Sequence, residues 1–291
     1  MSIVLALLLQ VGPFPGVDTM PGPDDELLNR PPRRVRGRNP VVEIEDITPS
    51  SAWLQDCLNQ IEQDPARAHS MAQIRRSEVT GADRVLANLC LGAASTELAR
   101  WGDARDAFLA AREGTPADEP RARARFATMA GNAAFEARGG EEALSLLVLA
   151  REDARTSGDA LLEAIAATDS ARVLVAMERA APALENLQDA TRLAPDRAEG
   201  WLLYATLLRR LDRLDEAQIA IERAASLAPK DAQVGLEAGV IAVLGGRDDA
   251  ARASWQSVIL LDPEGPLAET ARGYLAQIES DVQTSPEKDA R

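Results

Sequence analysis

Residues 198–231 read AEGWLLYATLLRRLDRLDEAQIAIERAASLAPKD, and this stretch is one period of a pattern that fills the second half of the chain. Pro229, near its end, is flanked by Pro195 and Pro263, each 34 residues away. Ala171, Ala205 and Gly239 recur at the same interval, as do Ala183, Ala217 and Ala251. Ala190 and Ala224 form a fourth column, with Val258 in the third place. Four columns in one register define a repeat protein. Each column has a mechanical meaning. Two antiparallel helices need small residues where their backbones approach and larger apolar residues on either side. Proline at the end of the unit stops the second helix, because it has no amide donor and clashes with the preceding turn.

Working outward, the units beginning at Ala164 and Ala232 keep these columns. The pattern resembles the tetratricopeptide repeat, a 34-residue helix-turn-helix unit with a large residue at unit position 4, small ones at 8, 20 and 27, and proline at 32. Trp201, Ala205, Ala217, Ala224 and Pro229 fall on those positions, while Leu208 and Ile221 replace the usual aromatics at 11 and 24. The unit from Ala232 supplies Gly239, Ala251, Trp255 and Pro263, with Gly235 where a large residue is expected. The unit from Ala164 supplies Ala171, Ala183, Leu187, Ala190 and Pro195, with Ala167 at position 4. Fainter matches place one unit near Ala124 (Gly131, Ala143, Ala150) and one near Asn88 (Gly102, Ala107, Ala111). These starts lie 36 and 40 residues apart, so loops at 115–119 and 155–159 are expected to absorb the extra residues. The resemblance implies an all-α fold: an α-solenoid, a right-handed superhelix, of about five such units with flanking capping helices.

The rest of the chain follows from this array. Residues 1–20 read as a signal peptide or an apolar N-terminal segment, because Ile3–Val11 is an apolar run far too short to span a bilayer, which takes roughly 20 residues. Residues 21–48 read as a linker rich in proline and arginine, with Arg30, Arg33, Arg34, Arg36 and Arg38. Residues 49–80 read as a degenerate helical pair, in which Asp64-Pro65 is a good helix start. The array proper spans 81–279 and closes with a solvating helix at Leu267–Ile278, and residues 280–291 read as a disordered tail. No transmembrane span is expected in the mature chain. The expected location is the periplasm or cell envelope, with the cytoplasm as the alternative.

Composition excludes several function classes. The chain has 53 Ala and 30 Arg but 2 Lys, and 3% aromatic residues, which disfavours an all-β fold. That bias fits a GC-rich bacterial genome. A net charge of −14 argues against a nucleic-acid partner. Cys57 and Cys90 each sit in an apolar stripe and read as two small buried hydrophobes, a disulfide between their helices being the alternative in an exported protein. His69 is the single histidine, and no phosphate loop, zinc spacing or nucleophile elbow occurs. The acid pairs Glu141-Glu142, Asp215-Glu216 and Asp248-Asp249 recur at the start of second helices, where carboxylates meet the positive end of the helix dipole. No cofactor, metal or catalytic residue is expected, and the chain reads as no enzyme.

What remains is a surface. The resemblance implies that first helices line a concave groove through unit positions 2, 5, 9 and 12, which share one helical face. Carried onto this chain, the protein-binding positions are Arg125, Asn132, Thr168, Arg172, Glu199, Thr206 and Arg209, with Leu236, Val240 and Val243 towards the C-terminal end. The chaperone-binding subfamily holds Lys and Asn at positions 5 and 9 of its first unit, where this chain has Gly92 and Thr96. The expected activity is that of a non-catalytic scaffold binding a protein or peptide, acidic in character. The alternatives are an accessory subunit organising an enzyme complex, or an enzyme with an unfamiliar site.

Overall fold

The computed structural model describes residues 52–284, and among these the secondary structure is thirteen α-helices with no strand. The expected signal segment at 1–20, the linker at 21–48 and the end of the tail at 285–291 lie outside the described residues. The helices are α1 (Ala52–Gln63), α2 (Pro65–Glu78), α3 (Gly81–Glu97), α4 (Trp101–Gly114), α5 (Pro120–Glu136), α6 (Gly140–Ser157) and α7 (Ala160–Ala176). They continue as α8 (Ala180–Leu193), α9 (Ala198–Arg210), α10 (Leu214–Leu227), α11 (Ala232–Leu244), α12 (Asp248–Leu261) and α13 (Pro266–Thr284). The last helix continues past residue 279, where the array was expected to close. Contacts divide the helices into two compact units, one carrying α1–α8 and ending at Pro195, the other carrying α9–α13 from Asp196. In each unit every helix packs on the next in sequence, which is the all-α solenoid that the 34-residue period implies.

The turn inside each helix pair sets the register. Five residues take a left-handed backbone at equivalent places: Ala99, Arg138, Glu178, Asp212 and Gly246. At each, the following residue donates its amide to a carbonyl five residues back, as in Arg100 to Ser95 at 2.8 Å, Arg179 to Leu174 at 2.8 Å and Arg247 to Ala242 at 2.9 Å. This closure satisfies the orphan carbonyls of the first helix before the second begins. Counting back from the turns, the units start at Val85, Ala124, Ala164, Ala198 and Ala232. The first is therefore three residues earlier than the expected start near Asn88. Its small residues are Gly92, Ala104 and Ala111, and Leu89 and Ala93 occupy the positions given to Gly92 and Thr96 above.

Extra residues in the first unit go mostly into helix. α5 and α7 have 17 residues each, whereas α9 and α11 have 13, so the longer helices begin one turn earlier. The expected loop at 115–119 is present, but most of 155–159 is helical, because α6 runs on to Ser157 and stops at the left-handed Gly158.

Four of the five left-handed turn positions carry a side chain, and a left-handed residue with a Cβ costs about 1–2 kcal/mol. Glu178→Gly removes that cost at an exposed site and pays back part of it as unfolded-state freedom. The expected result is a gain of about 0.5–1 kcal/mol in the urea midpoint experiment. An unchanged or lower midpoint would show that Glu178 has compensating contacts.

The core follows the columns. Gly92, Gly131 and Gly239 lie against Phe108, Leu147 and Trp255, and a Cβ at any of them would overlap that side chain. Trp255 is buried and donates its indole N–H to the Leu236 carbonyl at 3.1 Å. Many of the first unit's arginines tie successive repeats together from the second helices. Arg105 reaches Glu142 at 3.0 Å, Arg112 reaches Asp153 at 2.8 Å and Arg151 reaches Asp189 at 2.9 Å. Arg179 meets Glu141 at 3.1 Å, so this acid pair serves both the helix dipole and its neighbours.

Candidate functional site

The first helices carry the groove positions. In the first unit these are Arg125 and Asn132 on α5, and Thr168 and Arg172 on α7. Asn132 Nδ2 donates to Asp169 Oδ2 at 3.0 Å, and the other oxygen of Asp169 meets Arg172 at 3.4 Å. Asn132 and Arg172 are thus brought together by a carboxylate that sequence reading had passed over. Arg125 is half-buried two helical turns before Asn132, and residues seven apart lie on one side of a helix. Thr168 is buried, and its hydroxyl donates to the Ala164 carbonyl at 2.8 Å, so it offers nothing outward.

The second unit, taken by itself, repeats the motif with different chemistry. Arg209 on α9 places Nε 2.7 Å from Glu237 Oε1 on α11, and their side chains are 9% and 0% exposed. The second oxygen of Glu237 is buried without a hydrogen-bond partner. Tyr274 on α13 packs on Trp255 with ring centroids 5.0 Å apart. Burial, reinforced by the Glu237 charge, pushes its phenol up to about 12. Thr206 is buried and bonds back to the Leu202 carbonyl at 2.9 Å, and Glu199 pairs with Arg197. Leu236 and Val240 are buried, so the apolar C-terminal positions serve the core.

Asp169 and Glu237 occupy the same place in their units, position 6 of the first helix, and each reaches back to the first helix of the preceding repeat. The signal was a lone acid inside an apolar helix, as in AQVGLEAGVIAVL. Such an acid must be paired or pay a heavy desolvation cost. Cys90 stands at position 6 of its unit too, and it forms a disulfide with Cys57 of α1. Of the two readings of the cysteines, burial and bonding both hold. His69 is buried on α2, where burial and the nearby Arg100 hold its imidazole below the usual range while Asp103 opposes them. Among the described residues no cluster of His, Cys, Asp and Glu could hold a metal ion. No helix among them is long and apolar enough to cross a membrane.

The fold has clear counterparts. PilF of Pseudomonas aeruginosa superposes with a TM-score of 0.58 at 17% identity, over 79% of this chain and 98% of that one. BtubC (BKLC) of P. vanneervenii gives a TM-score of 0.54 at 14% identity, over 76% and 91%. A MamA double mutant from RS-1 gives 0.50 at 14% identity, over 62% and 94%. These likenesses show a fold, and the fold is that of the tetratricopeptide repeat. No protein-family model matches the sequence, and no curated protein matches it as a relative.

Proposed function

We propose that the chain is a non-catalytic scaffold of the bacterial cell envelope that holds an extended protein or peptide segment along its first helices. The single observation that carries the reading is the Asn132–Asp169–Arg172 chain, which fixes an amide and a guanidinium side by side on the face where α5 and α7 adjoin. Pairing with Asp169 costs Arg172 its net charge but leaves its planar fork oriented, which suits hydrogen bonding to a backbone or carboxylate. Arg125 on the same face supplies the attraction for an acidic ligand, against an overall charge that would otherwise repel it. In the second unit, taken by itself, Thr206 and Arg209 serve the packing, since Thr206 bonds to its own helix and Arg209 is committed to Glu237. The envelope reading rests on the apolar run Ile3–Val11.

The test uses Arg125→Glu and, separately, Arg125→Glu with Arg172→Gln, leaving Arg209 untouched. The full chain is used for affinity capture from the native cell, with mass spectrometry of what it holds. Specific partners are expected to fall to background in the double variant, with the far-ultraviolet helical signal unchanged, and wild-type capture should weaken as salt rises. Partners retained at wild-type level by the double variant would sink the groove reading.

A further inference from the structure

We infer that Cys57 and Cys90 are the substrate pair of a disulfide-donating thiol oxidoreductase, and that their bond, made outside the cytoplasm, clasps the front helix pair onto the first repeat. The inference deepens the envelope reading above and rests on it for where the chain matures. The bond joins α1 to α3 with Cα atoms 6.3 Å apart, within the span of roughly 4.4–6.8 Å that disulfides take. It occupies the position-6 joint that Asn132 and Asp169 fill two repeats on. A covalent link stands here where the joints at Asp169 and Glu237 are polar, and the local packing gives the reason. α1 buries only Leu54, Cys57 and Ile61, and α2 only Ala68, His69 and Ala72. A pair with so little apolar surface is the part of a solenoid most prone to fray, because few buried contacts hold it against local opening. Joining residues 33 apart in sequence removes much of the freedom that α1–α3 would gain on opening.

Burial decides between a switch and a clasp. Both cysteines are 0% exposed, and thiol–disulfide exchange needs a thiolate to reach a sulfur atom. No reductant reaches this bond while α1 is docked, so the bond forms before the cap settles and is shielded afterwards. In the forming step one cysteine thiolate attacks the disulfide of the oxidoreductase, giving a mixed disulfide and releasing one enzyme thiolate. The second cysteine thiolate then attacks the chain's own sulfur in that mixed bond. The enzyme leaves as a dithiol, carrying the two electrons and, with solvent, the two protons that the cysteines gave up. Cytosolic thiol pools oppose this outcome, whereas oxidising compartments favour it.

The test begins with the full chain in its native cell, fractionated and denatured in a maleimide reagent, then reduced and labelled with a second, heavier one. Cys57 and Cys90 are expected to refuse the first label and take the second, in the envelope fraction. First label on both cysteines in envelope material overturns the inference and leaves the envelope reading standing. Recovery of the chain from the cytosol with free thiols overturns both, and groove binding is read independently by the Arg125 variants. A second measurement follows hydrogen exchange in the purified full chain and in its Cys57→Ala/Cys90→Ala variant. Amides of 52–78 are expected to exchange about tenfold faster or more in the variant, with those of α5–α8 unchanged. Equal protection at 52–78 would refute the clasp.

Discussion

A chain ending at Asp262 loses the cooperative folding of its C-terminal unit. α13 buries Ala268, Ala271, Tyr274 and Ile278, and it partly buries Leu267 and Leu275, against Leu236, Val240, Trp255 and Val258. The two large buried side chains and the two half-buried leucines together are worth about 4.5–9 kcal/mol, at about 1.5–3 kcal/mol for each full burial. Native domains hold only about 5–15 kcal/mol in total, so the loss is of the same size as the whole reserve. Removing the helix also uncovers the Trp255 face of α12 and strips the cover from Glu237. The expected outcome is a shortened chain that melts early or in two steps, and that self-associates through the exposed apolar surface. A monomer with an unchanged melting temperature would show that α13 is dispensable. The other side of α13 carries Glu269, Arg272, Gly273 and Ala276, all exposed among the described residues.

The second large effect is asymmetric. Arg209→Met leaves the Glu237 carboxylate fully buried without its cation, at a cost of about 3–5 kcal/mol. Replacing both partners, Arg209→Met with Glu237→Met, removes the desolvated charges together and is expected to return stability to within about 1 kcal/mol of wild type, or above it. Urea unfolding of the two single variants and the double closes the cycle. Were Arg209→Met as stable as wild type, the pair would be mere packing. The same reasoning shows why reversing Arg209 to Glu is a poor probe of ligand binding. It sets a second carboxylate against a buried one, so lost capture would report unfolding of the unit.

The period itself was legible from residues 164 to 263, and so was the stop of each second helix, which ends at Leu193, Leu227 and Leu261 just before the prolines of the fixed column. Upstream, the register of the Val85 unit was misread through Gly102 and Ala107. A chain with 53 alanines offers a small residue at almost every helical spacing, so composition blurs the columns that identify a close approach. The left-handed residue at Ala99 and the packing of Gly92 on Phe108 settle the register, and neither leaves a mark on the sequence, since nothing in alanine announces a positive φ.

The candidate site divides along the same line. Which residues share a first-helix face was readable, because a 3.6-residue turn places positions 2, 5, 9 and 12 together whatever surrounds them. Whether those residues face solvent was not. Thr168 and Thr206 are spent on their own helices, Arg172 is held by Asp169 of its own helix, and Arg209 is met by Glu237 of the next first helix. Cys90 meets Cys57 in the same way. Each of these acids and Cys90 reaches a residue some 28 to 37 positions earlier in the chain. Periodicity dictates that repeats stack, and hence the fold. Only the stacking brings position 6 of one first helix against the helix before it, and that neighbour decides whether a charge stays a ligand-binding group or becomes part of the joint.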